Sequence, residues 1–535
     1  MRTAKILYED RTMPHHSSRH VPPPGRTGYR VVSHFLFLTT LLSLLFAACA
    51  QNNDSTTQNS TPTSAIAPYK GCDKPTNDVT CVTVDRSASI VTSQFSPGIS
   101  HIDDSLSTIG THNDPTAMNN VRSLIKQGIP YQNTFIMAWG APDPWPDPAQ
   151  DEPTNWDYID ARLQLIKDTG GIPIISLSEA PWWMKGQLQP DGSTRTLQES
   201  EEWNDIGYSS RILDNKMDVW LHLVQRTAER YMVPPYNVRY FQVWNELKGY
   251  FNPATNTYDF SVSPGDPNGD NARHGFTFMY NQVYARLMQV ATKLGIPNDT
   301  IKVGGPYVPL SIYGSKMHGS LSNFSQSYGT FDQRPLDVIQ YWLQHKTGAG
   351  FITLDAGNNN DDKVNLRDPL VAAQVFADVT QWIRHLDNNL YPGVTTLPIW
   401  WAEWYAFPYG NTQDVHYDDA IKSYAMSRFI KAGGAVALEW GGLSNANSDT
   451  GLWTPTNVQG GGQPRPWYNS YKAFKDDFSP GTRILKTTVS GPGNIEVLAS
   501  STHAMLINMT DKSLTVGING SGVPLTSYQV RIINL

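Results

Sequence analysis

The chain is 535 residues long, enough for one large domain and a smaller companion but too long for a single small core. Its formal net charge of −7 leaves no basic excess for a phosphate backbone, which sets nucleic acid aside as a partner and favours neutral ligands. With 16 Trp, 25 Tyr and 18 Phe, aromatic side chains can fill a core and still line a cleft.

At the N-terminus, Arg19, Arg26 and Arg30 precede the apolar run FLFLTTLLSLLFAA over 35–48. That run is shorter than the ~20 residues a bilayer-spanning helix needs, and it is the pattern of a signal peptide. Leu45-Phe46-Ala47-Ala48-Cys49 resembles a bacterial lipobox, in which Cys49 becomes the lipidated first residue of the mature chain. Phe46 is an unusual occupant of its position, so cleavage nearby with simple secretion stands as the alternative. Either route implies an extracellular protein, and the lipobox implies one tethered to the cell membrane of a bacterium. Residues 1–49 are thus the export segment, and 50–80 form a tether whose Ser, Thr, Asn and Pro content is too polar to order itself. Cys72 and Cys81 enclose eight residues, and in a secreted chain such a pair reads as a small disulfide loop rather than a metal site.

From 81 to 475, apolar strands alternate with amphipathic helices. Strands are expected over 89–95, 133–139, 172–177, 238–244, 301–304, 351–354, 397–402 and 435–440. Helices are expected between them over 115–127, 156–168, 217–231, 276–294, 335–345, 371–388 and 418–432. Eight such repeats predict the α/β class and a (β/α)8 TIM barrel. A doubly wound open sheet would bring a Gly-rich phosphate turn after an early strand, and none is present. Residues 476–535 change character, with the short alternating runs IEVLAS, HAMLINMT, LTVGING and SYQVRIINL between turn residues. They predict a small all-β, sandwich-like C-terminal domain, which 81–86 can join as an extra strand.

In a barrel the reacting groups stand at the C-terminal ends of strands, so the pattern singles out few residues. They are Glu179 after the third strand, Asn245 and Glu246 after the fourth, Asp355 after the sixth, Glu403 after the seventh, and Glu439 and Trp440 after the eighth. Glu246 and Glu403 each follow an apolar strand and are crowded by Trp and Tyr. A carboxylate pair across a barrel mouth suits glycosidic bond cleavage, where one protonates the leaving oxygen while the other attacks carbon or activates water. Trp139, Trp182, Tyr405 and Trp440 offer flat faces for sugar rings, and His101 can edge the cleft. HExxH, GxSxG and P-loop patterns do not occur, and DPNGD over 266–270 lacks the remainder of a calcium loop.

The segments VTVD (82–85), NWDYID (155–160), VWNEL (243–247) and FSPGTR (478–483), with the strand-seven Glu403, resemble clan A glycoside hydrolases. Family 39, which contains β-xylosidases and α-L-iduronidases, is the most similar. The resemblance implies a retaining double displacement with Glu246 as acid/base and Glu403 as nucleophile, without metal or cofactor. It also implies that Asn245 bonds the sugar 2-hydroxyl and that Trp440 stacks on the ring, with a carbohydrate as the partner. Asp355, in FITLDAGNNNDD, stands where many clan members carry His or Tyr, and Glu179 is also unexpected; both leave the sugar open rather than the reaction. Exo and endo action are equally open. The rival from another class is a carbohydrate-binding lipoprotein on a degenerate barrel, for which paired carboxylates at these strand ends would have no use.

Overall fold

The computed structural model describes residues 72, 79–102, 114–268, 273–409, 414–441 and 451–535; the export segment, Cys49 and most of the tether lie outside them. Eight parallel strands close a barrel in chain order: Ser96–Ser100, Tyr131–Phe135, Ile172–Leu177, Tyr240–Val243, Lys302–Pro309, Phe351–Gly357, Ile399–Tyr405 and Val436–Trp440. The eighth strand pairs with the first, Val436 opposite Ser96, so the sheet has no edge. The helices that follow these strands pack outside, and several start on the chemistry their sequences announce. Asp114 accepts from the Ala117 amide with Pro115 at the first helical position, and Asp414 accepts from the amides of His416 and Tyr417. No helix among the described residues is long and apolar enough to cross a membrane.

The first barrel strand departs from expectation. Residues 89–92 belong instead to a long strand, Thr80–Thr92, that lies outside the barrel. It pairs antiparallel with Arg483–Ser490, Cys81 opposite Ser490 and Thr92 opposite Arg483, and parallel with Leu514–Ile518. The barrel strand proper is Ser-Pro-Gly-Ile-Ser, a poor β sequence. It is there because Gly98 lets neighbouring strands approach, since a Cβ at that position would lie 2.4 Å from Leu438 Cδ2. Tyr471, from the helix Pro466–Asp477, accepts from the Gly98 amide at 2.9 Å and holds the strand in place. The same long strand is the extra one expected over 81–86. Cys72 and Cys81 are joined in a disulfide at its start.

Inside the barrel the side chains fall into layers. At the N-terminal end Tyr131, Tyr240, Phe351 and Trp400 pack as an aromatic plug, Phe351 stacking on Trp400 at 3.9 Å. Above it lies a polar layer: Asn133 donates to Ser100 Oγ, Ser176 donates to Asn133, and Gln242 donates to Ser176 Oγ at 3.0 Å. All four are fully buried, so each bond satisfies a group that would otherwise be costly. The top layer is the site described below.

The C-terminal domain is two sheets. One orders Arg483–Ser490, Thr80–Thr92, Leu514–Ile518 and Ser521–Leu525, and the other orders Ile495–Ala499, His503–Asn508 and Val530–Asn534. Val82, Leu485, Val497, Leu506, Val516 and Ile518 fill the space between. Glu496 fastens this domain to the barrel helix Val415–Lys431, accepting from Ser427 Oγ at 2.8 Å and pairing with Lys431. Because Thr80–Thr92 has both partner strands in 483–535, deleting those residues is expected to expose its apolar face and abolish soluble expression. Soluble yield and circular dichroism of the truncated chain check this.

Candidate active site

The fourth strand ends at Val243, and the chain then turns through left-handed conformations, φ +66° at Trp244, +49° at Glu246, +56° at Leu247 and +77° at Gly249. Non-glycine residues adopt these only where surroundings compel them. Trp244 is packed edge-on against Trp220, and its indole N–H donates to the Lys248 carbonyl at 2.9 Å, closing the turn. Gly249 passes so near the backbone of Arg211 that a Cβ would lie 2.3 Å from its amide nitrogen. Tyr250 is wholly buried, with the Arg211 guanidinium 4.5 Å above its ring. Burial, then Arg211, pushes His274 down to about 4, so its imidazole is neutral. Its Nδ1–H donates to Asp214 and its Nε2 accepts from the Tyr250 hydroxyl at 2.8 Å. The turn that carries Glu246 is therefore pinned at both ends.

Two other strands bulge to aim their side chains inward. In the seventh, Leu354 faces Trp401 but Asp355 faces Glu403, so the extra residue Ala402 turns Glu403 toward the barrel axis. In the fifth, Pro306 faces Thr353 and Val308 faces Leu354, leaving Tyr307 out of register at φ +55°. The Tyr307 hydroxyl donates to Glu403 Oε1 and that of Tyr405 to Glu403 Oε2, each at 3.2 Å. Asp355 arrives by simple alternation along the sixth strand. Glu246, Asp355 and Glu403 then each offer an oxygen within 4.8 Å of the others. Lys248 places its ammonium 2.9 Å from Glu246 Oε2.

Such crowding forbids three simultaneous negative charges without a proton or a cation among them. Burial first, and then Glu246, pushes the Glu403 carboxyl well above the ordinary range, while Lys248, Tyr405 and Tyr307 pull the other way. Burial and the Glu403 charge also keep both tyrosines protonated, as donors. Oxygens at this spacing would also suit a cation, but the Lys248 ammonium already supplies positive charge there.

The remaining expected residues divide. Asn245 is fully buried beside Tyr307, and neither its Oδ1 nor its Nδ2 meets a partner of normal hydrogen-bond geometry among the described residues. Trp139 and Trp440 meet edge to face at 5.6 Å, with Phe135 and Tyr208 completing an aromatic wall, and Lys248 Nζ lies 5.0 Å from the Trp139 ring centroid. Glu179 is not in the cluster: it forms a buried ion pair with Lys185 at 2.7 Å, whose ammonium also donates to the Gly207 carbonyl. Trp182 goes with it, its amide donating to Glu202 at 3.1 Å. His101 turns away, bonding Gln132 at 3.0 Å, whose amide in turn reaches Thr169 at the end of the outer helix Asp157–Asp168. Burial pushes His101 down to about 4, and the neutral ring belongs to the layer between barrel and helix. Glu439 likewise pairs with Lys422. Lys248, Tyr307 and Tyr208 were not foreseen, although Lys248 stands two residues after Glu246 in the motif itself.

The fold and site together define a (β/α)8 barrel with an acidic, aromatic-walled mouth. No protein-family model and no curated protein sequence matches the chain. Among solved structures it is similar to SrfJ from Salmonella typhimurium, at 11% identity and TM-score 0.54, covering 85% of this chain and 92% of that one. It is also similar to the endo-beta1,6-glucanase BT3312, at 12% identity and TM-score 0.51, covering 84% and 94%. A family 39 β-xylosidase from Caulobacter crescentus matches at 14% identity and TM-score 0.45, covering 82% of each. At these identities the likeness to the first two establishes a shared fold.

Two outcomes follow from the groups around the site. Tyr250→Phe leaves the buried His274 Nε2 without a donor and is expected to lower stability by about 1–3 kcal/mol in chemical denaturation. Beside Lys185, burial and then Glu202 push Asp143 up to about 8, so the folded chain keeps a proton that the unfolded chain releases above about 4. That proton's contribution is complete at low pH and is lost as pH rises toward 8. Asp143→Asn, whose oxygen can still accept from the Trp145 amide, removes the penalty. Its stability relative to wild type should rise with pH in that window by up to about 1.4 kcal/mol per unit, measured by urea titration at several pH values.

Proposed function

We propose that the chain is a retaining glycoside hydrolase acting on O-glycosidic bonds of an oligo- or polysaccharide. The observation that carries this is the approach of Glu246 and Glu403 oxygens to within 4.8 Å at the ends of strands four and seven. Retaining pairs stand about 5–5.5 Å apart, whereas inverting pairs leave room for a water at about 6.5–9.5 Å. In this reading Glu403 attacks the anomeric carbon while Glu246 protonates the departing oxygen. A water then enters, Glu246 takes its proton, and the glycosyl–Glu403 bond breaks with a second inversion. Tyr307 and Tyr405, donating to Glu403, oppose the burial that pushes its carboxyl up and fix its orientation for attack. Asn245 presents its amide to the sugar, and Trp139 and Trp440 form the platform on which a ring stacks. The shared fold with an endo-beta1,6-glucanase supports a glycan as substrate. Export, and a lipid on Cys49, would place the enzyme outside the cell membrane, where polysaccharide is met.

A screen of natural oligosaccharides, with product mass and anomeric configuration read by NMR, tests reaction and stereochemistry together. Retained configuration is expected, and an inverted product would overturn the assigned roles. Glu246→Ala should reduce turnover of substrates with poor leaving groups about 10²–10⁴-fold and activated aryl glycosides far less. Glu403→Ala should abolish turnover of both. Unchanged activity in either variant, or sugar binding without turnover in the wild type, would leave a binding protein as the better description.

A further inference from the structure

Lys248 is a group at this site that the chemistry above does not use. It lies on the same left-handed turn as Glu246, 2.9 Å from Oε2, and it is half-buried. It is not a loosely placed surface lysine. Its backbone carbonyl is held by the Trp244 indole, Gly249 can be no larger residue, and its ammonium lies 5.0 Å from the Trp139 ring and 5.9 Å from Tyr208. Aromatic faces of this kind retain a cation without neutralising it.

We propose that Lys248 is a positioning residue for the acid/base, favouring the ionised form of the Glu246 carboxyl and thereby setting the alkaline limit of turnover. The proposal deepens the retaining-hydrolase reading and rests on it for its consequence, though not for its electrostatics. The charged and titratable groups around the pair are Glu403 and Tyr405 from the seventh strand, Asp355 from the sixth and Tyr307 from the fifth. Beyond the ammonium stand Glu179 at the end of the third strand, with its own partner Lys185, and Tyr208. Glu403 and Asp355, within 4.8 Å, favour a protonated Glu246; Lys248 opposes them. Burial works against the ammonium, but Glu246, Glu179 and Glu403 outweigh it, and Lys248 holds its charge above its ordinary range. The lysine is therefore a fixed charge across neutral pH. Its effect on the two half-reactions is opposite: it weakens Glu246 as the acid that starts cleavage and favours the carboxylate that must later accept a proton from water.

The test is the titration of the Glu246 carboxyl, followed by carbon-13 NMR with its signal assigned from its loss in Glu246→Gln. In Lys248→Met the midpoint should rise by about 1–3 pH units, while Lys248→Arg keeps it near the wild-type value. Lys248→Gln makes the same comparison should the Met variant not fold. An unchanged midpoint in the neutral variants, or an equal rise in the Arg variant, would overturn the proposal. The measurement needs no substrate, so its failure is separate from that of the hydrolase reading, which the Glu246→Ala and Glu403→Ala kinetics decide. Where both stand, the alkaline limb of kcat/KM moves upward with the carboxyl in Lys248→Met, a shift that loss of packing alone would not give.

Discussion

Three carboxylates held within 4.8 Å at the mouth of a barrel repel one another, and much of the structure around them is explicable as the means of tolerating that repulsion. A lone exposed glutamate needs no support. A cluster desolvated by Trp, Tyr and the barrel wall needs donors, a cation and at least one proton, or its members would swing apart. Tyr307 and Tyr405 supply the donors to Glu403, and Lys248 supplies the cation to Glu246. The two oxygens of Glu403 are thus bonded by hydroxyls while those of Glu246 face an ammonium. Two chemically identical side chains are given different surroundings, which sets their proton affinities apart.

Holding such a cluster also demands backbone that cannot relax. The positive φ values at Trp244, Glu246, Leu247 and Tyr307 are each unfavourable for a side-chain-bearing residue, and together they would unwind without restraint. Restraint comes from outside the site, in the Trp220–Trp244 contact, the close passage of Gly249 by Arg211, and the buried Asp214–His274–Tyr250 relay. The relay is built like a proton pathway, yet a neutral imidazole and the full burial of His274 and Tyr250 make it a strut. The long segment between Tyr250 and His274 thus returns to brace the turn from which it departs.

How far this could be read in the sequence depends on the range of the interaction concerned. The barrel was legible because eight local repeats each carry their own period, and Glu246 and Glu403 because each stands near the C-terminal end of an apolar strand. The first strand was not, because alternation in SASIVT says a residue is half-buried without saying against which sheet, and the true barrel strand owes its place to Gly98 and Tyr471 rather than to propensity. Tyr307 escaped because a bulge, set by register with the sixth strand, decides where it points. Glu179 and His101 stand outside the carboxylate cluster for a related reason. A strand-end position puts a residue near the mouth, but Lys185 in one case and Gln132 in the other decide its direction, and neither pairing leaves a local trace.

Charge alternation extends beyond the cluster and bears on how the mouth distinguishes ligands. Running outward from Glu403, the groups are Glu246, Lys248, Glu179 and Lys185, and then the proton-sharing carboxyls Asp143 and Glu202 under Trp182. Each cation lies between acids, so the lysines are locally compensated and offer little free attraction to an anionic group arriving from solvent. The aromatic wall formed by Trp139, Tyr208 and Trp440 flanks Lys248 and presents apolar faces instead. Under the hydrolase reading proposed above, such surroundings suit a ligand without a strong charge of its own. Asp355 sharpens the point, since an acid added to two others raises the cost of any anionic substituent held near them. The same crowding that calls for a proton or a cation in the site therefore also disfavours an anionic group beside it.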